Sequence, residues 1–304
     1  MTTDAVTGAT SFTGRFIAER LVASGRRVID LTRDPRAPHP LGELVSSAAL
    51  DFDHPDRLTR TLEGVDALYN TFWIRFERGP ITYRWAVERS QILLAAARRA
   101  RVRRIVHISV INAAPDAPTA YFRAKAAVED ALASSSVTHA IVRPTVSFGP
   151  GDILVNNLAW TLRRLPLFGI PGDGLYPIQP VHIDDIADLA VQVGSMTEGI
   201  VVDAAGPDTF TFNEFVALVR EAVGSRARIV HMPVWAALAG AGMVGLIVRD
   251  VVLTRDEVTE LQSKLMVSAA PPTGRVRLAS WLAEQADTLG RQWASELDRH
   301  FRRR

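Results

Sequence analysis

The chain of 304 residues contains no cysteine. That excludes disulfides, thiolate metal sites and a cysteine nucleophile, and it fits a cytoplasmic protein. Neither sign of charge dominates: 35 Lys and Arg stand against 33 Asp and Glu, a formal net charge of +2. A nucleic-acid partner would demand a basic stripe or patch, so none is expected. The basic end, His300–Arg304, reads as an exposed terminus. No targeting peptide is expected, because Met1–Asp4 leads directly into a strand pattern. No serine sits in a nucleophile elbow, which removes that class of hydrolase.

Long apolar runs are also scarce. The exception is MPVWAALAGAGMVGLIV, Met232–Val248, whose 17 residues reach the lower limit for crossing a bilayer. We expect no integral membrane segment. The run is expected to form a buried helix or helical hairpin beside a ligand cavity, with contact to a membrane surface as the alternative.

What is present is an alternation of periods. Asp4–Thr7 is apolar up to Gly8; Phe16, Ile17, Leu21 and Val22 follow at helical spacing, stopped by Gly25; Val28–Leu31 is the next strand. Further strands are expected at Ala49–Phe52, Ala67–Thr71, Arg104–Ile108, His139–Val142 and Ile200–Ala204, and helices at Tyr83–Ala100 and Ala120–Ser134. Continuous apolar strands separated by helices imply an α/β fold, a Rossmann doubly wound parallel sheet covered on both faces. After Pro144 the chain becomes richer in turns and then helical. The expected division is a dinucleotide-binding domain at 1–148, completed by about 181–205, with 149–180 and 206–304 forming a smaller, mostly helical C-terminal substrate lobe.

Gly8-Ala9-Thr10-Ser11-Phe12-Thr13-Gly14 lies between the first strand and the first helix. Glycines there allow a sharp turn and close approach to a pyrophosphate, and the helix N-terminus offers free N–H groups to it. Ser11 stands where the middle glycine is usual, and its hydroxyl is a donor for a phosphate oxygen. At the end of the second strand an NAD site usually carries an acidic residue for the ribose 2′-hydroxyl. Thr32-Arg33 stands there instead. A guanidinium suits a 2′-phosphate, so NADP(H) is preferred over NAD(H); the competing reading pairs Arg33 with Asp34 or Asp53. Asp51 and Phe52 are expected to flank the adenine.

Lysine is nearly missing. Lys125 and Lys264 are the two in the chain, and Lys125 follows one of four tyrosines, Tyr121, by four residues. On a helix the two share a face. Ionising a tyrosine at neutral pH costs roughly 4 kcal/mol, and a nearby ammonium lowers that cost. Tyr121 is thus a candidate acid/base for a substrate oxygen, and Lys125 a candidate donor to ribose hydroxyls. The plainer reading is a surface pair of Lys125 with Glu129. His182, Asp184 and Asp185 open a helix and read as capping residues rather than metal ligands, so no metal is expected.

At these residues the chain resembles the short-chain dehydrogenase/reductase superfamily, in its extended or atypical, epimerase-like branch. The matching segments are TGATSFTG (7–14), LTRDP (31–35), RIVHIS (104–109), YFRAK (121–125), VRPTVSFGPGD (142–152), PGDGLYPIQPVHIDDIA (171–187) and AAGPDTFTFNEF (204–215). Later segments are similar to the Rossmann-fold accessory subunit of respiratory complex I and to NmrA-like proteins. The resemblance implies Tyr121 as acid/base, Lys125 beside it, and a hydroxyl after the fifth strand to hold the substrate oxygen. Ser109 is the choice for that role, with Asn112 or Thr119 as substitutes. It also implies that Asn70, Thr71 and Phe72 line the cofactor, that Pro144, Thr145 and Val146 pass beside the nicotinamide, and that a homodimer forms through the helices at 83–100 and 120–134. The expected function is NADP-dependent oxidoreduction or epimerase-like chemistry on a small carbonyl or alcohol. Phe148, Trp160, Leu167, Phe168 and the Trp235 helix suggest an apolar substrate. A cofactor-binding sensor or structural subunit is the alternative.

Overall fold

In the computed structural model the described residues are 2–36 and 39–300. The first 144 residues contribute β1 (Thr3–Thr7), α1 (Phe12–Ala23), β2 (Arg27–Thr32), β3 (Val45–Ala49), α2 (Pro55–Thr61), β4 (Ala67–Asn70), α3 (Tyr83–Arg99), β5 (Arg104–Ile108), α4 (Ala120–Ala133) and β6 (Thr138–Pro144). There follow β7 (Val146–Phe148), α5 (Leu154–Arg164), β8 (Leu167–Pro171), β9 (Pro177–Ile178), β10 (Pro180–His182), α6 (Ile183–Gly194), β11 (Ile200–Ala204), β12 (Phe210–Thr211), α7 (Phe212–Ala222), β13 (Arg228–Met232), α8 (Val234–Val248), α9 (Arg255–Gln262), α10 (Leu278–Gln285) and α11 (Glu296–His300). Two compact units result. One comprises the chain to Pro144 with Ile183–Ala204; the other comprises Thr145–His182 with the chain from Ala205.

The first unit is a seven-stranded parallel sheet in the order β11-β6-β5-β4-β1-β2-β3. This is the Rossmann doubly wound arrangement, and the order reverses between β1 and β4. Ligands bind such sheets at that switch point, beyond the carboxyl ends of the strands. Leu31, Leu58, Leu68, Leu93, Ile105, Val128, Leu132 and Ile141 form a core between one sheet face and α2, α3 and α4. On the other face α1 packs with α6, and Arg20 of α1 pairs with Asp184, at 2.7 Å, and with Asp188. The third strand ends at Ala49, earlier than the expected Ala49–Phe52. The Asp51 carboxylate accepts the N–H groups of Asp53 and His54, both at 3.2 Å, which turns the chain out of the ladder.

The second unit carries three two-stranded sheets, β10-β7, β12-β9 and β13-β8. Its core gathers Phe148, Val155, Leu158, Ile170, Phe215, Val219, Trp281 and Leu282. His182 is buried there as an aromatic neighbour of Phe148 at 5.0 Å and Trp281 at 6.1 Å. Helix α8 is a single helix rather than a hairpin. It is not buried as expected: Ala237 and Gly245 alone are buried among its residues, while Trp235, Met243, Leu246 and Ile247 are exposed.

A buried charge fastens the entry of the sheet. Asp4, fully buried in β1, accepts from Arg26 and from the Ala67 N–H at 3.1 Å, and Arg26 continues to Asp66 at 2.9 Å. Asp4→Ala removes the carboxylate from both contacts and leaves Arg26 partly desolvated. Urea denaturation is expected to register a loss of about 3 kcal/mol.

Candidate functional site

The glycine turn leaves β1 at the switch point. Gly8 adopts φ +66°, open to glycine at little cost, and its N–H donates to the Leu31 carbonyl at 2.9 Å. Gly14 lies on the Gly8 carbonyl: a Cβ there would run into that group, 2.8 Å from its carbon. Ser11 caps α1 by accepting from the Gly14 N–H at 3.3 Å, and the first turn of α1 holds no acidic residue. The Ser11 hydroxyl proton therefore points elsewhere than into the cap. Thr10 is exposed, and Ser11, Phe12 and Thr13 are half-buried along the turn. A tight backbone, a helix N-terminus without carboxylates and a hydroxyl donor form a cradle that fits a pyrophosphate.

Asp30, which sequence reading missed, braces this turn. It is buried in β2, and its carboxylate accepts the Ala9 N–H at 2.6 Å. Burial raises its pKa, and the Ala9 bond opposes the rise. The second strand thus spends its carboxylate on the turn, two residues before its end. Arg33, at the strand end, is exposed.

Asn70, Thr71 and Phe72 leave β4 beside that turn. The Thr71 N–H donates to Thr7 Oγ1 at 2.7 Å, and Asn70 Oδ1 accepts the Phe72 N–H at 3.1 Å. Asn70 Nδ2 lies 3.1 Å from His107 Nδ1. His107 is fully buried, and burial together with the nearby Lys125 charge keeps it neutral, its pKa well below the ordinary value. Phe52 packs at 5.0 Å against Phe72 with the rings tilted by 51°, and Phe72 lies 5.9 Å from Trp85. Asp51 is occupied by His54, with 2.8 Å between Oδ2 and Nδ1.

The residues proposed for chemistry converge on Trp73, also missed from sequence. Lys125 Nζ donates to the Ile108 carbonyl at 2.9 Å and stands 4.4 Å from the centre of the Trp73 ring. Tyr121 meets the same ring edge-on at 6.2 Å and Tyr83 at 5.8 Å. Ser109 follows Ile108 directly; its N–H donates to Val142 O at 2.8 Å, and its hydroxyl is buried with no hydrogen-bond partner. The Trp73 indole nitrogen is buried and unpartnered as well. Glu129 pairs with Arg143, Nε to Oε1 at 3.0 Å, so the plain surface pair of Glu129 with Lys125 is not formed. Pro144 ends β6, where its carbonyl accepts from Ile111, while Thr145 and Val146 begin the second unit. Asn112, one substitute for Ser109, has φ +55°.

Two orphaned buried donors beside a buried amine, on the same sheet as a phosphate cradle, fit a nicotinamide dinucleotide. The comparisons agree. Residues 8–148 match the family described as NAD(P)H-binding. The match spans the glycine turn and the strands and helices from α1 to β7. The chain is 24% identical to NADH dehydrogenase (ubiquinone) 1 alpha subcomplex subunit 9 of Arabidopsis thaliana, over 86% of this chain and 70% of that one. Counterparts in Dictyostelium discoideum and Neurospora crassa are matched over 66% and 63% of their own lengths, just under two thirds. A ceramide reductase of Caulobacter vibrioides is 25% identical, over 75% of this chain and 73% of that one. Among solved structures, the triphenylmethane reductase of Citrobacter sp. complexed with NADP(H) superposes with a TM-score of 0.75 at 18% identity, covering 94% of this chain and all of that one. A UDP-glucose 4-epimerase of Brucella ovis in complex with NAD superposes at 0.63 and 16% identity, over 77% and 86%. The chain is related to respiratory subunits and to reductases, and its fold is that of NAD(P)-binding reductases and epimerases.

The residues expected to line an apolar substrate differ in burial. Phe148 is fully buried among core residues, Trp160 packs on Trp293 at 5.1 Å, and Leu167 and Trp235 are exposed.

Burial brings the Lys125 amine down to about 7, with Glu129 opposing. Its ordinary value is near 10.5. Between about 7 and 10.5 the unfolded chain holds the extra proton, so Lys125 makes stability rise with pH there, and its burial penalty is fully present below 7. Lys125→Met is expected to stabilise the fold at pH 6 by on the order of 2 kcal/mol, with the gain fading by pH 10. Thermal melts across pH measure it.

Proposed function

We propose that this chain is an NADP(H)-dependent oxidoreductase acting on a small carbonyl or alcohol. The observation that carries the reading is the convergence of Tyr121, Lys125 and the unpartnered Ser109 hydroxyl around Trp73 and the Ile108 carbonyl. Bound NADP(H) supplies hydride to the carbonyl carbon, or takes it back from the alcohol. Ser109 donates to the substrate oxygen and orients it. Tyr121 gives that oxygen its proton in reduction and takes it in oxidation. In its protonated form, Lys125 places positive charge near the phenol and favours its ionised form; the Trp73 face and the Ile108 carbonyl favour the ammonium against the burial that lowers its pKa. Pyrophosphate is held by the turn from Gly8 to Gly14. Asn70, Thr71 and Phe72 line the cofactor, and Phe52 and Asp51 stand toward the adenine. Arg33 pairs with the 2′-phosphate, a role favoured by the engagement of Asp30 with Ala9. Relatives named as reducing ceramide and a farnesylated quinoline oxide support ketone reduction.

A second reading, a cofactor-binding subunit without turnover, draws on the relatives in respiratory NADH dehydrogenase. It is also favoured by the apolar Val110 and Ile111 that follow Ser109.

Tyr121→Phe separates the readings. Under the first, kcat in a carbonyl substrate screen falls by about 10²–10⁴-fold while NADPH affinity is kept. Unchanged turnover would remove Tyr121 from the mechanism. If no carbonyl turns over with the parent protein yet NADPH binds, the subunit reading stands.

Arg33 is tested by fluorescence titration of the reduced nicotinamides. Arg33→Ala is expected to weaken NADPH about tenfold or more and leave NADH unchanged. Equal loss of both cofactors would deny it the phosphate contact.

A further inference from the structure

Helix α8 carries an apolar face on its outside. Trp235, Ala239, Gly242, Met243, Leu246 and Ile247 are its exposed residues, and they recur at spacings of three and four along one stripe. Trp235 is 73% exposed, Met243 65%, Leu246 82% and Ile247 74%. The inward face is apolar too: Ala237 and Gly245 are buried, and a Cβ at Gly245 would meet the Asp250 carbonyl at 2.8 Å. No charged residue interrupts the 15 residues of the helix. Leu167 and Leu175, exposed at the start of β8 and just beyond its end, add to the apolar surface of the strand against which α8 packs. Isolated exposed leucines are ordinary, whereas a stripe along a whole helix marks an interaction surface.

The charges around the stripe identify what it meets. From Gly224 to Arg255 the exposed formal charges are Arg226, Arg228, Arg249 and Arg255. The one carboxylate in that interval, Asp250, is buried and accepts from Trp293 Nε1 at 2.9 Å and from the Glu296 and Leu297 N–H groups. Arg226 and Arg228 also line a recess of about 910 Å³ together with Arg163, Arg164 and Arg291. Arg163 and Arg164 are anchored there, donating to the carbonyls of Leu289 and Gly290 at 2.9 Å. Strand β13 runs from this recess to α8, ~13 Å from Arg228 to Met232. The nearest exposed carboxylates along the chain are Glu221, near the end of α7 and five residues before Arg226, and Asp256, beside Arg255.

We propose that α8 and its arginines dock on the surface of an anionic phospholipid bilayer. The stripe enters the acyl boundary, with Trp235 at headgroup depth, and the arginines pair with lipid phosphates. At ~22 Å the helix is too short to cross the hydrocarbon core, so it lies in the interface. A second copy is the poorer occupant, because a two-fold contact would set an arginine rim against itself.

Vesicle flotation of the full chain tests this. Binding is expected to phosphatidylglycerol-containing vesicles, much less to pure phosphatidylcholine, and release at high salt. The double variants Leu246→Ser/Ile247→Ser and Arg226→Glu/Arg228→Glu should each weaken binding about tenfold or more, with thermal melts unchanged. Brominated acyl chains should quench fluorescence in the parent and less in Trp235→Phe. Failure to bind anionic vesicles, or variants that bind as the parent does, overturns the proposal. So does a parent dimer, seen by sedimentation, that Leu246→Ser/Ile247→Ser splits, since the stripe then belongs to a second copy.

Discussion

The buried amine of Lys125 is the constraint around which the site is built. A cation with 3% exposure must find compensation close by. It finds the Ile108 carbonyl and the Trp73 ring, and through them it ties the end of β5 and the segment after β4 to α4. Ser109 is held one bond beyond that carbonyl, and Tyr121 rests on the same indole. An arginine would be a poor substitute: its planar fork brings five donors where one carbonyl and one ring face are on offer. A chain that otherwise uses arginine for nearly every basic position therefore keeps lysine here for a physical reason.

The turn obeys a second constraint of the same kind. Gly14 is pressed on the Gly8 carbonyl, and Ala9 is drawn to a buried carboxylate on the neighbouring strand. That carboxylate holds the turn and is not presented at the strand end. In the arrangement proposed here, cofactor choice passes to Arg33. In that proposal bracing and selectivity fall to separate residues, three positions apart on one strand and its exit.

Sequence alone was informative wherever a pattern repeats. Apolar strands alternating with 3.6-period helices sufficed for the parallel sheet, and the glycine turn located its switch point. Spacing of four put Tyr121 and Lys125 on one face of α4. What was not legible depends on partners distant in the chain. Trp73 acquires its role from α4, some fifty residues on. Asp30 reads as an ordinary strand interruption until Ala9 is seen beside it. Asp51 ended a strand early through a local carboxylate turn, which periodicity does not register. The run at 232–248 failed for another reason. An apolar composition measures how much surface avoids water; it does not say what covers that surface.

That last distinction bears on how the two halves of the chain relate to chemistry. The sheet unit holds the glycine turn, the buried Lys125 and Tyr121, the groups to which the proposed chemistry is assigned. In the second unit the bulky apolar side chains divide between a packed core and an exterior stripe.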